Sequence, residues 1–191
     1  MPNNFLFDLI APLYDHVISP KEDNVFSGPL NLPSSGWLMD AGGGTGRAST
    51  NLTGEVDHLL ICDLSFAMLQ AAQEKGIQNL VQASVNALPF EKESFERIMV
   101  IDALHHMPQQ KDTVGEMLRT LKSDGRMLIE EPDIELFAVK LIALFETLAL
   151  MKSHFHTKDE IKTMVESFGA QARIDSDGKG SAWVIAEKQP R

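Results

Sequence analysis

Short, nearly unbroken apolar runs recur along the chain at Trp37–Met39, His58–Cys62, Leu80-Val81, Ile98–Ile101 and Arg126–Ile129. Each reads as a buried strand, and the helix-length segments between them make βα units stacked on a largely parallel sheet. Ser65 is placed to cap a helix through Phe66, Met68 and Leu69. Pro108 suits the first turn of another, through Val114, Met117, Leu118 and Leu121. Thr157-Lys158-Asp159-Glu160 is a capping box ahead of Ile161, Met164, Val165 and Phe168, with Gly169 as the stop. Ala172–Ile174 and Ala182–Ala186, on either side of Asp175–Gly180, predict an antiparallel hairpin that closes the sheet.

Two pieces fall outside this alternation. Asn4–Ile18 predicts an amphipathic helix with Phe5, Leu6, Leu9, Ile10, Leu13 and Tyr14 on one face, followed by a linker containing Pro and Gly that runs to Ser35. The segment Ile134–Met151 follows Pro132 and Asp133, and fourteen of its eighteen residues are apolar. That is too many for one face of an exposed helix, so it covers something or is covered. Glu135, Lys140 and Glu146 interrupt it, which makes it a poor membrane span.

Composition narrows the function. The 191 residues predict a single domain, 1–191, with a helical N-terminal part at 1–35 and an inserted helical cover at 133–152. Lys and Arg total 17 against 27 Asp and Glu, a net charge of −10. So acidic a chain argues against generic binding to nucleic-acid backbone and favours a small acceptor. The one cysteine, Cys62, allows neither an intramolecular disulfide nor a multi-cysteine metal cluster. The start, Met1-Pro2-Asn3-Asn4-Phe5, does not read as a signal peptide, so the expected location is cytoplasmic.

The chemistry concentrates in Leu38-Met39-Asp40-Ala41-Gly42-Gly43-Gly44-Thr45-Gly46-Arg47, which follows a strand and is expected to open a helix. Glycines there let backbone approach a ligand closely. The spacing G-x-G-x-G, with Arg47 where G-x-G-x-x-G requires its last glycine, weakens a nicotinamide-dinucleotide assignment. Asp63, at the end of the next strand, is about 20 residues on and suits ribose hydroxyls. Asp40 would repel phosphate but attract a cationic group. Either acid alone reads as a strand-end or capping residue; with the loop, the two point to a nucleoside carrying positive charge.

Asp40–Gly46, Asp63, Ala83–Phe90, Phe95–Val100 and Leu121–Ile129 together resemble a class I S-adenosylmethionine-dependent methyltransferase. The ordered motifs cover residues 36–131. The order of Phe7-Asp8, Tyr14-Asp15, the glycine loop, Ala87–Phe90 and His105-His106 is most similar to the ubiquinone/menaquinone-biosynthesis-like group. The resemblance implies an α/β, three-layer Rossmann-like fold with a mostly parallel seven-stranded sheet, and S-adenosyl-L-methionine as cofactor. Asp40, Gly42, Gly44 and Gly46 would surround its methionine part, Asp63 would hold the ribose and Leu64 would pack on the adenine. Ser84 and Val85 would lie at the adenine edge, where the family commonly has an Asp at the position of Ser84. Tyr14 and Ile101 complete the implied cofactor set.

Ile101-Asp102-Ala103-Leu104-His105-His106-Met107-Pro108 leaves the carboxyl end of the fourth apolar run, where open α/β sheets place their chemistry. His105 and His106 are therefore candidates for acceptor contact or proton removal, and capping or backbone bonding is the structural alternative for each. Asp102, Glu130, Glu131, His154 and His156 are secondary candidates. His154 and His156 with the His105-His106 pair suggest a metal site, but side chains two apart diverge on a helix, and no metal is expected. Cys62 reads as a small buried strand residue. The expected reaction is methylation of a small, apolar or aromatic acceptor at carbon or oxygen. A non-catalytic cofactor-binding protein and a nucleic-acid methyltransferase are the alternatives. A core element or a homodimer interface competes with a lid as the role of the Ile134–Met151 segment.

Overall fold

The computed structural model describes residues 25–134, 153–176, 178 and 180–190, together with Asp8 and Ala11. The remainder of the expected helix Asn4–Ile18, including Tyr14, lies outside the described residues, as do positions 135–152 of the apolar segment.

Strands β1 (Ser34–Ala41), β2 (Val56–Asp63), β3 (Asn79–Gln82), β4 (Phe95–Ile101), β5 (Leu121–Pro132), β6 (Gln171–Ser176) and β7 (Ser181–Glu187) form one sheet in the order β3-β2-β1-β4-β5-β7-β6. The first five run parallel, while β7 is antiparallel to both β5 and β6. Chain order reverses on either side of β1, which has β2 on one flank and β4 on the other. Clefts open beyond the carboxyl ends of strands at such a reversal.

The apolar runs are continuous because both faces are buried. Met39, Cys62, Val100 and Ile129 join one core; their chain neighbours Leu38, Ile61, Met99 and Leu128 join the other. The first core takes Val114 and Met117 of helix α3 (Gln110–Thr120) and Ile161 and Val165 of α4 (Lys158–Glu166). The second takes Leu30 of the short helix α1 (Ser27–Leu30) and Leu69 and Ala72 of α2 (Phe66–Glu74). Three layers result.

Capping signals translate directly. The Ser65 hydroxyl accepts from Met68 N–H at 3.2 Å. Thr157 and Glu160 exchange side-chain-to-backbone bonds at 3.2 and 2.8 Å, which completes the capping box. Gly169 ends that unit at φ 83°.

Three local expectations change. The glycine loop opens into turns and a single 3-10 turn at Thr50–Leu52, not into an α-helix. Ser49, Thr50, Asn51 and Thr53 disfavour helix, and the Thr50 hydroxyl donates back to the Gly46 carbonyl at 2.6 Å. Leu121 belongs to β5, because its backbone is already extended and it pairs with Phe95; α3 starts two residues after Pro108. The linker before Ser35 holds α1, and β1 starts at Ser34. Among the described residues no helix is long and apolar enough to cross a membrane.

Candidate functional site

A cleft opens beyond the carboxyl ends of β1, β2 and β4. Asp40, Gly42 and Gly44 line it from β1 and its loop, Asp63 and Leu64 from β2, and Ser84 and Val85 from the segment after β3. Ile101 and His106 close it from the β4 side. The fold thus gathers nine of the sequence-predicted residues in one place. Gly46 stands behind this wall: a Cβ there would meet Ile61 Cδ1 at 2.9 Å, so its job is close packing of the loop on β2. Tyr14 lies outside the described residues.

His105 turns away from the cleft. It is buried at 5% exposure, its Nδ1 bonded to the Glu131 carboxylate and its ring stacked on Phe155 with centroids 4.4 Å apart. His106, the next residue, faces the cleft, with Nδ1 at 3.2 Å from the Ser153 hydroxyl. Burial, reinforced by the charge of His105 and opposed by Asp102, pushes the His106 imidazole down to about 3. It is therefore neutral at physiological pH.

The loop owes its shape to positive φ at Gly42 (71°), Gly44 (54°) and Gly46 (73°). At Gly44 a Cβ would find nothing nearer than Met68 Sδ at 3.8 Å, so the loop backbone lies open there. Its N–H donates to Asp63 Oδ2 at 2.9 Å, while Ser65 N–H donates to Oδ1 at 2.8 Å. Burial raises the Asp63 carboxyl, and the amides of Ser65, Gly44 and Leu64 oppose that rise.

Asp40 is the electrostatic anomaly. It is 1% exposed, and neither carboxylate oxygen reaches a hydrogen-bond partner among the described residues. Burial pushes it up to about 6, with Ser49 and Arg47 pulling down and Asp63 pushing further up. A buried carboxylate without a partner is costly unless a ligand completes it. A cationic nucleoside matches this donor set: a carboxylate for its charge, a second acid for its ribose, and glycine backbone between them.

Asp102, a secondary candidate from the sequence, also lines the cleft, whereas Arg47, Ala103 and Met107 join it without having been singled out. Arg47 and Asp102 form an ion pair at 2.9 Å across the cleft floor, 55 positions apart in the chain. Met107 and Ala103 press on Gly42, where a Cβ would meet Met107 Cε at 2.7 Å and Ala103 Cβ at 3.1 Å. Ser84 donates to Asn86 Oδ1 at 2.6 Å, which leaves its own oxygen able to accept a hydrogen bond. Cys62 is fully buried, its thiol pushed up to about 12 by burial and by Asp63, as befits a core residue.

Residues 39–129 match the family model described as a methyltransferase domain. Over that region the chain is similar to class I S-adenosylmethionine-dependent methyltransferases. The ubiquinone/menaquinone biosynthesis C-methyltransferase of Erwinia tasmaniensis is 32% identical over 104 residues, 49% of this chain and 41% of the relative. That of Stutzerimonas stutzeri is 28% identical over 135 residues, 64% of this chain and 53% of the relative. The chain spans about half the length of the curated relatives it matches. Among solved structures, a putative methyltransferase in complex with the Haloferax volcanii Trm112 methyltransferase activator superposes with a TM-score of 0.83 at 15% identity, over 96% of this chain and 98% of that one. The matched methyltransferase region contains most of the cleft, from Asp40 and the glycine loop to His106, and ends two residues short of Glu131.

Proposed function

We propose that this protein, acting as one cytoplasmic methyltransferase domain, methylates a small, largely apolar or aromatic molecule at carbon or oxygen. The observation that carries it is the buried, unpartnered Asp40 carboxylate in a cleft that also holds Asp63, the open Gly44 backbone and His106. The relatives' shared name, ubiquinone/menaquinone biosynthesis C-methyltransferase, favours carbon as the atom and a quinone-like ring as the acceptor class.

S-adenosylmethionine, when bound, supplies an electrophilic methyl group on a positively charged sulfur. Asp40 holds the positive charge of the methionine part and Asp63 accepts from the ribose hydroxyls. Leu64 and Val85 flank the adenine, and the Ser84 oxygen accepts at its edge. Direct displacement needs no protein nucleophile; alignment and exclusion of water supply the acceleration. Ile101, Ala103 and Met107 form the apolar wall that keeps water out. His106, neutral at working pH, orients an acceptor hydroxyl or carbonyl through a hydrogen bond. An imidazole with its affinity for protons so reduced is a poor general base.

Calorimetry with S-adenosylhomocysteine, followed by transfer of labelled methyl to phenols and hydroquinones with short apolar tails, tests this. Saturable binding and labelled product are expected. Failure to bind S-adenosylhomocysteine would overturn the assignment; binding with no product across the panel would favour a non-catalytic cofactor-binding protein.

A further inference from the structure

Glu131 stands one residue beyond the last rung that β4 and β5 share, Ile101 opposite Glu130. Where the backbone ladder stops, its side chain takes over. Oε1 accepts from the N–H groups of Ala103 at 3.1 Å and Leu104 at 2.7 Å, and Oε2 is bonded to Nδ1 of His105. The carboxylate is 3% exposed and bonds three groups of one turn.

That turn builds the cleft. Ala103 packs where Gly42 has no Cβ, and the His106 ring lies against His105 with centroids 4.0 Å apart. On the far side of the 135–152 segment the chain returns to the same turn. His154 N–H donates to the His105 carbonyl at 2.8 Å, and Gln110 Nε2 donates to the Leu104 and His154 carbonyls, both at 2.8 Å. Phe155 stacks on the His105 ring and the Ser153 hydroxyl meets His106 Nδ1. His105, held by Glu131, is thus one of the points at which the cleft turn and the returning chain are joined.

We propose that Glu131 is a positioning residue: it fixes the tautomer of the His105 ring, and through that ring and the amides of Ala103 and Leu104 it sets the turn that aims His106 into the cleft. Its purpose rests on the methyl-transfer function proposed above. Capping the 3-10 turn at Leu104–His106 needs only an acceptor for two amides, which a glutamine supplies equally well. The bond to His105 is different, because a carboxylate only accepts and so requires the proton on Nδ1, whereas an amide nitrogen donates and reverses that requirement. Glu131→Gln separates the two roles.

The test uses the full chain labelled with 15N-histidine, with S-adenosylhomocysteine as probe of the cofactor site. In the wild type, the His105 Nδ1–H proton should resonate far downfield and exchange slowly. Glu131→Gln should abolish that resonance and shift the ring nitrogens of His106, while S-adenosylhomocysteine affinity stays within about threefold. Unchanged His106 ring shifts in Glu131→Gln would overturn the proposal, as would absence of the downfield proton from the wild type. Should Glu131→Gln fail to fold, His105→Phe carries the same test: it keeps an aromatic ring beside Phe155 and His106 but offers Glu131 no N–H, so the His106 ring nitrogens should again shift, and a His106 spectrum like the wild type's would be equally damaging. Failure of the wild type to bind S-adenosylhomocysteine would instead defeat the methyl-transfer function and leave the ring spectra to decide the role of Glu131.

Discussion

Gly44 donates its N–H to Oδ2 of Asp63 across 2.9 Å, so the loop after β1 and the acid ending β2 are one hydrogen-bonded unit. The other oxygen of that carboxylate accepts from Ser65, whose hydroxyl caps α2. Loop shape and helix start therefore meet at one side chain that lines the cleft.

Asp63→Ala should weaken S-adenosylhomocysteine binding by about tenfold to a hundredfold, since hydrogen bonds to a charged group contribute roughly 1.5–3 kcal/mol. Asp63→Asn retains a single acceptor oxygen and should fall between the two. Calorimetry on the three proteins checks the order, and equal affinities would remove Asp63 from the site.

Asp40 sets a pH dependence whose sign follows from its raised carboxyl. The folded value of about 6 lies above the ordinary 3.8, so between these limits the native state holds a proton that the unfolded chain has released. Stability is then lost as pH rises from about 4 to about 6, by roughly 3 kcal/mol in all. Without ligand, Asp40→Asn should be the more stable protein in urea at pH 8, the two converging near pH 4, while its S-adenosylmethionine affinity drops. Equal urea midpoints at pH 8 would contradict this.

His106 should show no ring titration between pH 5 and 8 by NMR, because its imidazole is pushed down to about 3. The sign for stability is opposite to that of Asp40. The unfolded chain takes up a proton near pH 6.5 that the folded ring refuses, so stability falls as pH drops through that value toward 3. His106→Gln should lose this dependence in acid-unfolding curves.

Gly42 and Gly44 share positive φ but not surroundings. Gly44→Ala meets only ordinary contacts, Met68 Sδ at 3.8 Å and Asp63 Oδ2 at 4.0 Å, and should cost only the left-handed strain, about 1 kcal/mol. Gly42→Ala adds contacts at 3.1 Å with Ala103 and 2.7 Å with the flexible end of Met107, and should cost about 1–2 kcal/mol more. Urea unfolding measures the difference, and equal losses would show that the β4 turn yields freely.

Much of what depends on local order was legible in the chain, the glycine loop's missing helix being the main exception. The five apolar runs became β1 to β5, the Thr157–Glu160 box formed as spelled, and Asp40, Gly42, Gly44 and Asp63 met in one cleft. Local pattern was less informative where two neighbouring residues of one type divide their roles. His105 and His106 are adjacent and chemically identical, yet one is buried against Glu131 and the other faces the cleft. The Arg47–Asp102 pair spans 55 positions and left no trace in spacing.

By itself the sequence determined the strand and helix alternation, the glycine turn and the two acids at the carboxyl ends of strands, because strand period, capping and glycine dihedrals act within a few residues. Only the tertiary structure decided which acids are desolvated and which histidine the cleft receives. The end of β5 relative to β4 brings Glu131 to the turn at Ala103 and Leu104, a meeting between segments far apart in the chain. Burial raises Asp40 and lowers His106, and no local pattern encodes it.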